Sequence, residues 1–130
     1  MKKTFRSESD VKTAVKQLLA GYPGVWYFMP SMNGYGRAGV PDFAGCFQSR
    51  FFAIETKFGS NKPTPAQKME LKKIQGALGI AMIINEKNLE TLHEILDDMQ
   101  LGLYPHAKGL ARTTLTAYGV EVCGLEEKKA

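Results

Sequence analysis

Asp42, Glu55 and Lys57 stand on segments that are otherwise apolar: "GVPDFAGCF" carries the aspartate directly after a proline, and "RFFAIETKF" carries the glutamate and the lysine on either side of one threonine. Taking an ion out of water is costly, so charges on hydrophobic segments need partners or a task. Two carboxylates brought together repel one another, and a hard divalent cation relieves them, because Mg2+ takes carboxylate, water and phosphate oxygens as ligands. Such a cation polarises a phosphoryl oxygen and acidifies a bound water, while an ammonium like that of Lys57 orients the attacking water or stabilises charge gathering at phosphorus. The chemistry implied is metal-assisted attack of water at a phosphoryl group. The alternative is that Glu55 and Lys57 form a cross-strand or solvated charge pair.

These residues need elements to hold them. A first helix is expected in "SESDVKTAVKQLLAGYPG", with Ser7 as N-cap, Asp10 three residues on, and Gly21 and Pro23 ending it. Val11, Val15, Leu18 and Leu19 form its apolar stripe, and one turn further back the stripe lands on Glu8. "VWYFM" predicts a short strand, and "PSMNGYGRAG" a glycine-rich loop. "DFAGCF" and "RFFAIETKF" predict two strands joined at Gln48 and Ser49 as a hairpin. Alternation then places Ala53, Glu55 and Lys57 on one face and Phe52, Ile54, Thr56 and Phe58 on the other.

A second helix follows, with Thr64 as N-cap and Pro65 at its first position. Leu71, Ile74 and Leu78 face the core, Gln67 heads that stripe, and Lys68, Lys72 and Gln75 face outward. "IAMII" predicts a strand covered on both faces, and a third helix from about Glu86 to Met99 carries the stripe Leu89, Leu92, Leu96 and Met99. A short helix around Leu110 to Tyr118, a strand at Val120 to Cys123 and a charged tail complete the reading. The order αβββαβα predicts an α/β fold with a mixed β-sheet flanked by helices, in one domain over residues 1–130, with a core of about 8–99 and a C-terminal extension of about 100–130.

Charge is unevenly spread. Residues 1–73 hold twelve Lys/Arg against five Asp/Glu, and residues 74–130 hold five against eight. The half with the acidic motif is therefore the basic half, which suits a polyanionic partner; an ordinary solvated basic surface is the plainer reading. Cys46 and Cys123 lie far apart with no C-x-x-C spacing, which predicts two buried thiols and neither a disulfide framework nor a zinc site. The basic start lacks an apolar run after it and no segment is long enough to cross a bilayer, so a soluble, cytoplasmic protein with no membrane partner is expected.

Taken together, "G39-V-P-D42", twelve residues, "E55-T-K57" and then "P63-T-P-A-Q67" resemble the PD-(D/E)XK nuclease superfamily, and within it the virus-type replication-repair nuclease (VRR-NUC) domain. The resemblance spans Glu8 to Asn85 and leaves the C-terminal third unexplained. It implies a restriction-endonuclease-like core, with Asp42 and Glu55 as ligands of Mg2+ or Mn2+ and Thr56 lending its backbone carbonyl. It further implies that Lys57 acts on the attacking water, that Glu8 assists the metal, directly or through water, and that Gln67 lies beside the active site. Glu8 takes this role rather than Asp10 because it extends the apolar stripe.

In the loop, Arg37 and backbone amides can follow a sugar-phosphate backbone with Asn33 and Tyr35 near the scissile bond, or the glycines can serve only a flexible connection. Lys62, Lys68 and Lys72 are further candidates for DNA contact. "GSNKPT" lacks Walker A spacing, and His93 and His106 have no metal-ligand partner in sequence. Trp26, Tyr27, Phe51 and Phe52 are expected in the core, with base stacking as the other reading.

The expected activity is thus a metal-dependent, structure-selective endodeoxyribonuclease. The family's stand-alone members imply a homodimer acting on branched DNA such as four-way (Holliday) junctions. The alternatives are a less selective nicking or restriction-type nuclease and a non-catalytic nucleic-acid-binding module. Leu103, Tyr104, Leu110, Leu115, Tyr118 and Val122 are the residues expected to supply the dimer patch.

Overall fold

A computed structural model describes residues 4–30 and 36–102. Its elements are α1 (Glu8–Ala20), β1 (Trp26–Phe28), β2 (Phe43–Phe47), β3 (Arg50–Thr56), α2 (Pro65–Gly76), β4 (Ile80–Ile84) and α3 (Leu89–Gln100), the order the sequence predicts. Asn33, Tyr35 and everything expected from Leu103 onward, the late helix, the late strand and the dimer patch included, lie outside the described residues.

The strands form one mixed sheet in the order β1-β2-β3-β4, antiparallel across the first two pairings and parallel between β3 and β4. Gln48 and Ser49 make the hairpin turn with φ of 53° and 68°, a mirror-image turn whose twist matches that of paired strands. Parallel β3 and β4 need a crossover, and α2 supplies it. Every residue of β4 is buried, as expected of a strand covered on both sides.

The two faces of the sheet are covered unequally. On one, Phe43, Phe47, Phe52 and Ile54 join Val11, Val15 and Leu19 of α1 and Leu92, Ile95, Leu96 and Met99 of α3 in the core. Tyr22, just past α1, ties this layer together: its hydroxyl donates to Asp97 Oδ1 at 2.6 Å and lies 2.7 Å from His93 Nδ1. On the other face, α2 packs against β4 and β3. Trp26, Phe28 and Phe51 are exposed there, and so is Cys46. The expectation of buried Trp26, Phe51 and Cys46 is therefore corrected: α2 packs over β3 and β4 rather than over Trp26 and Cys46 on β1 and β2, and Phe51, which lines a hollow with Ile74 of α2, is only partly covered by that helix.

One helix start differs from expectation. The third helix begins at Leu89 rather than about Glu86: Asn85 Oδ1 accepts from Lys87 N at 2.8 Å and Asn88 Oδ1 accepts from Asn85 N at 2.8 Å, a local turn that competes with helix. Ser7 is the N-cap of α1 but makes no side-chain cap bond, while Asp10 Oδ2 accepts from Arg6 N at 2.8 Å. α2 starts as expected, with Thr64 as N-cap and Pro65 first.

Candidate active site

Register brings the site together. β2 and β3 pair with Phe43 opposite Ile54, so one step further Asp42 faces the position of Glu55. Past the end of β3 the ladder gains one more bond, Lys57 N donating to Ile84 O at 3.0 Å, which fixes where the Lys57 side chain departs. The loop before Asp42 is pinned to α2. Gly39 has φ of 85° and approaches so closely that a Cβ there would lie 2.4 Å from the carbonyl oxygen of Ala66, a position only glycine fits. Two residues earlier, Arg37 grips buried Glu70 with both arms, Nε at 2.8 Å and Nη2 at 3.1 Å.

Asp42 is held by Thr56, whose backbone N–H and hydroxyl donate to Oδ2 at 2.9 and 2.6 Å. Its other oxygen, Oδ1, lies 3.8 Å from Lys12 Nζ, and the same ammonium is 3.6 Å from Glu8 Oε2. Glu55 is 2% exposed; its Oε2 is 3.6 Å from Lys57 Nζ, while Oε1 is buried with no hydrogen-bond partner. Burial first, and the Asp42 charge second, push the Glu55 carboxyl up to about 7; Lys57 opposes the rise and Glu8 adds to it.

Asp42, Glu55, Lys57 and Glu8 are thus brought into mutual electrostatic reach, with Thr56 and Lys12 joining them. With all groups ionised, the three acids outnumber the two lysines. Among the described residues no three His, Cys, Asp or Glu side chains are gathered closely enough to hold a metal. The residues that could hold a hard cation are the pair Asp42 and Glu55, of which Glu55 keeps a buried oxygen without a hydrogen-bond partner. Glu8 engages Lys12 at the edge of this pair.

Gln67 has a task the sequence reading did not assign. Its Oε1 accepts from Thr64 N at 2.8 Å while Thr64 Oγ1 accepts from Gln67 N at 3.2 Å, a reciprocal capping box that starts α2. Among the expected DNA contacts, Lys62, Lys68 and Lys72 are exposed. Arg37 is committed to Glu70, although its side chain stays 71% exposed.

Two contributors escaped the sequence reading. Lys12 carried one legible signal, its i, i+4 spacing from Glu8. The Thr56 hydroxyl carried none, since alternation along β3 says nothing about a residue before β2. No known family model matches the chain, and no curated protein matches it either.

Proposed function

We propose that this protein is a Mg2+- or Mn2+-dependent endodeoxyribonuclease acting on branched DNA such as four-way junctions, as the PD-(D/E)XK resemblance implies. The observation that carries the reading is the unpartnered, buried Glu55 Oε1 beside Asp42, with the Lys57 ammonium 3.6 Å from the other oxygen. A charge pair kept only for the fold would satisfy both carboxylate oxygens, because an orphaned one costs stability.

Asp42 and Glu55 would hold the cation, which when bound supplies charge neutralisation for the scissile phosphate. Thr56 fixes the Asp42 carboxylate through two hydrogen bonds, so this ligand is oriented before any substrate arrives. Lys57, largely buried at 12% side-chain exposure, holds the attacking water or the charge that gathers on phosphate oxygens. Lys12 adds a second ammonium 3.8 Å from Asp42 Oδ1, where it screens the carboxylates. Paired cuts at a junction need two copies of the site, so a homodimer is part of the proposal.

The test is one gel with purified protein, comparing duplex, single-stranded, flap and four-way junction DNA with Mg2+, with Mn2+ and with EDTA. Metal-dependent paired cuts on the junction, together with a two-chain mass by light scattering, are expected. Cleavage that persists in EDTA overturns the metal assignment. A one-chain mass with single nicks leaves a nickase, and no cleavage of any substrate removes the nuclease reading.

A further inference from the structure

Asp42 has one oxygen to offer an ion. Thr56 donates twice to its Oδ2, from the backbone N–H at 2.9 Å and from the hydroxyl at 2.6 Å, which occupies both lone pairs of that atom. Oδ1 is left, and it is the oxygen that Lys12 Nζ approaches at 3.8 Å. The same ammonium lies 3.6 Å from Glu8 Oε2. One cation of α1 thus stands where a carboxylate of its own helix meets the carboxylate that precedes β2.

A lysine and a glutamate four apart on a helix surface form an ordinary pair of small worth. Lys12 differs because it also reaches Asp42, which comes from another element and is itself a candidate ligand. Both distances exceed the length of a charge-assisted hydrogen bond, about 2.7–2.9 Å. The ammonium therefore acts as a point charge shared by two acids rather than as a clamp on either.

A second divalent ion would need this place. Paired ions in hydrolytic sites lie about 3.5–4 Å apart, close enough to share a carboxylate. Among the described residues the acids are not drawn into one group of three. With Asp42 and Glu55 engaged by a first ion, a second has to use Glu8 and Asp42 Oδ1, and Lys12 already neutralises both. Charge counting agrees. The acids Glu8, Asp42 and Glu55 exceed Lys12 and Lys57 by one charge, so a single divalent ion leaves the cluster positive by one and suited to a phosphodiester. Another ion adds two positive charges with no carboxylate to meet them.

We propose that Lys12 takes the place of a second divalent ion and restricts the candidate active site to one. The proposal rests on the nuclease reading for the first ion, held by Asp42 and by Glu55, whose buried Oε1 has no hydrogen-bond partner. Lys12 then determines the number of ions without touching the reacting atoms.

Mn2+ bound per chain is counted by electron paramagnetic resonance, from the loss of the free-ion signal, with the full-length protein and no DNA. Wild type should bind one ion. Lys12→Met, which keeps the apolar stem, and Lys12→Gln, which keeps a polar tip, should each bind two. Lys12→Arg keeps the charge and should bind one. Lys16→Met removes an equal charge one turn further along α1, where Lys16 is exposed, and should also bind one. Adding Glu8→Gln to Lys12→Met should return the count to one, since the second ion loses one of its two carboxylates. Every variant should keep the wild-type circular dichroism.

Two ions on wild type overturn the proposal, whatever the variants do. So does a single ion on both Lys12→Met and Lys12→Gln, a second ion on Lys16→Met, or a second ion on Lys12→Met that survives Glu8→Gln. Each of these results leaves the first ion, and with it the nuclease reading, in place. No bound ion on wild type or on any variant removes the metal-dependent reading itself, and the proposal with it.

Discussion

Two polar clusters in this molecule are assembled from side chains distant in sequence, and they are finished differently. At Tyr22, the hydroxyl lies within 3.2 Å of three groups of α3: the carboxylate of Asp97, and the ring nitrogen and carbonyl oxygen of His93. Burial, with help from Asp97, raises its pKa, so the phenol stays a donor throughout the ordinary pH range. At Asp42 and Glu55, one carboxylate is anchored by Thr56 while the other keeps a buried oxygen without any partner. The first cluster closes a core layer; the second holds like charges together and leaves a donor atom open. Satisfied polar groups stabilise a fold, whereas an unsatisfied one is tolerated where a ligand completes it.

The sharpest break in that comparison is Asp42→Ala or Glu55→Ala. Either should reduce junction cleavage at least about 1000-fold, measured in single-turnover assays, with DNA binding kept or tightened because negative charge is removed. Joint loss of binding and of the folded state would assign both acids to the fold instead. Lys57→Met keeps the apolar stem and removes the ammonium, so cleavage should fall roughly 100-fold or more while the affinity for Mn2+, measured by calorimetry, persists. Near-normal turnover in that variant would show the charge to be dispensable.

The pH dependence follows from Glu55. Its folded pKa of about 7 exceeds the ordinary 4.5, so the folded state holds a proton that the unfolded state has lost between those values. This stabilising contribution is present in full below pH 4.5 and is lost as pH rises through 7, on the order of 3 kcal/mol. Glu55→Gln should flatten the fall in metal-free melting temperature between pH 5 and 8. Cleavage should run the opposite way, rising through pH 7 as the carboxylate ionises and can hold a cation.

Tyr22→Phe tests the other cluster. It leaves Asp97 and His93 without the hydroxyl between them, so stability should drop by about 1–3 kcal/mol and Tm by roughly 5 °C or more, with cleavage per folded molecule unchanged. A loss of specific activity at constant Tm would erase the distinction between the clusters. The smallest effect is expected for Gln67→Ala, which removes half of the α2 capping box and should cost about 0.5–1 kcal/mol. Cleavage should fall by less than a few-fold; a larger fall at constant Tm would return Gln67 to the catalytic group.

Much of the fold was legible in order. Helical stripes in α1 and α3, the apolar run of β4, and the turn at Gln48 and Ser49 are local patterns, and local sterics and periodicity are written in neighbouring residues. The α2 stripe is met at Leu71 but not at Leu78, an expected core residue that is exposed because α2 ends at Gly76 and Leu78 turns away with φ of 71°. The acidic motif was legible as well, since strand alternation and spacing bring Asp42 towards Glu55 without reference to the rest of the chain. The start of α3 was missed by about three residues because Asn85 and Asn88 bond to nearby backbone, a competition that periodicity does not register.

What a segment's own residues dictate, the sequence determined: which stretches are helix or strand, where the hairpin turns, and which charges share a strand face. Which surfaces are covered was decided only by the tertiary structure. Trp26 and Cys46 alternate as core residues do, yet they are exposed because α2 packs over β3 and β4 rather than over β1 and β2. Lys12 reads as a helix-surface cation and becomes a neighbour of Asp42, while Arg37 reads as a loop cation and becomes the anchor of that loop on Glu70. Burial and ion pairing depend on where whole elements pack, and that is set by the summed contacts of the domain rather than by the pattern within any one segment.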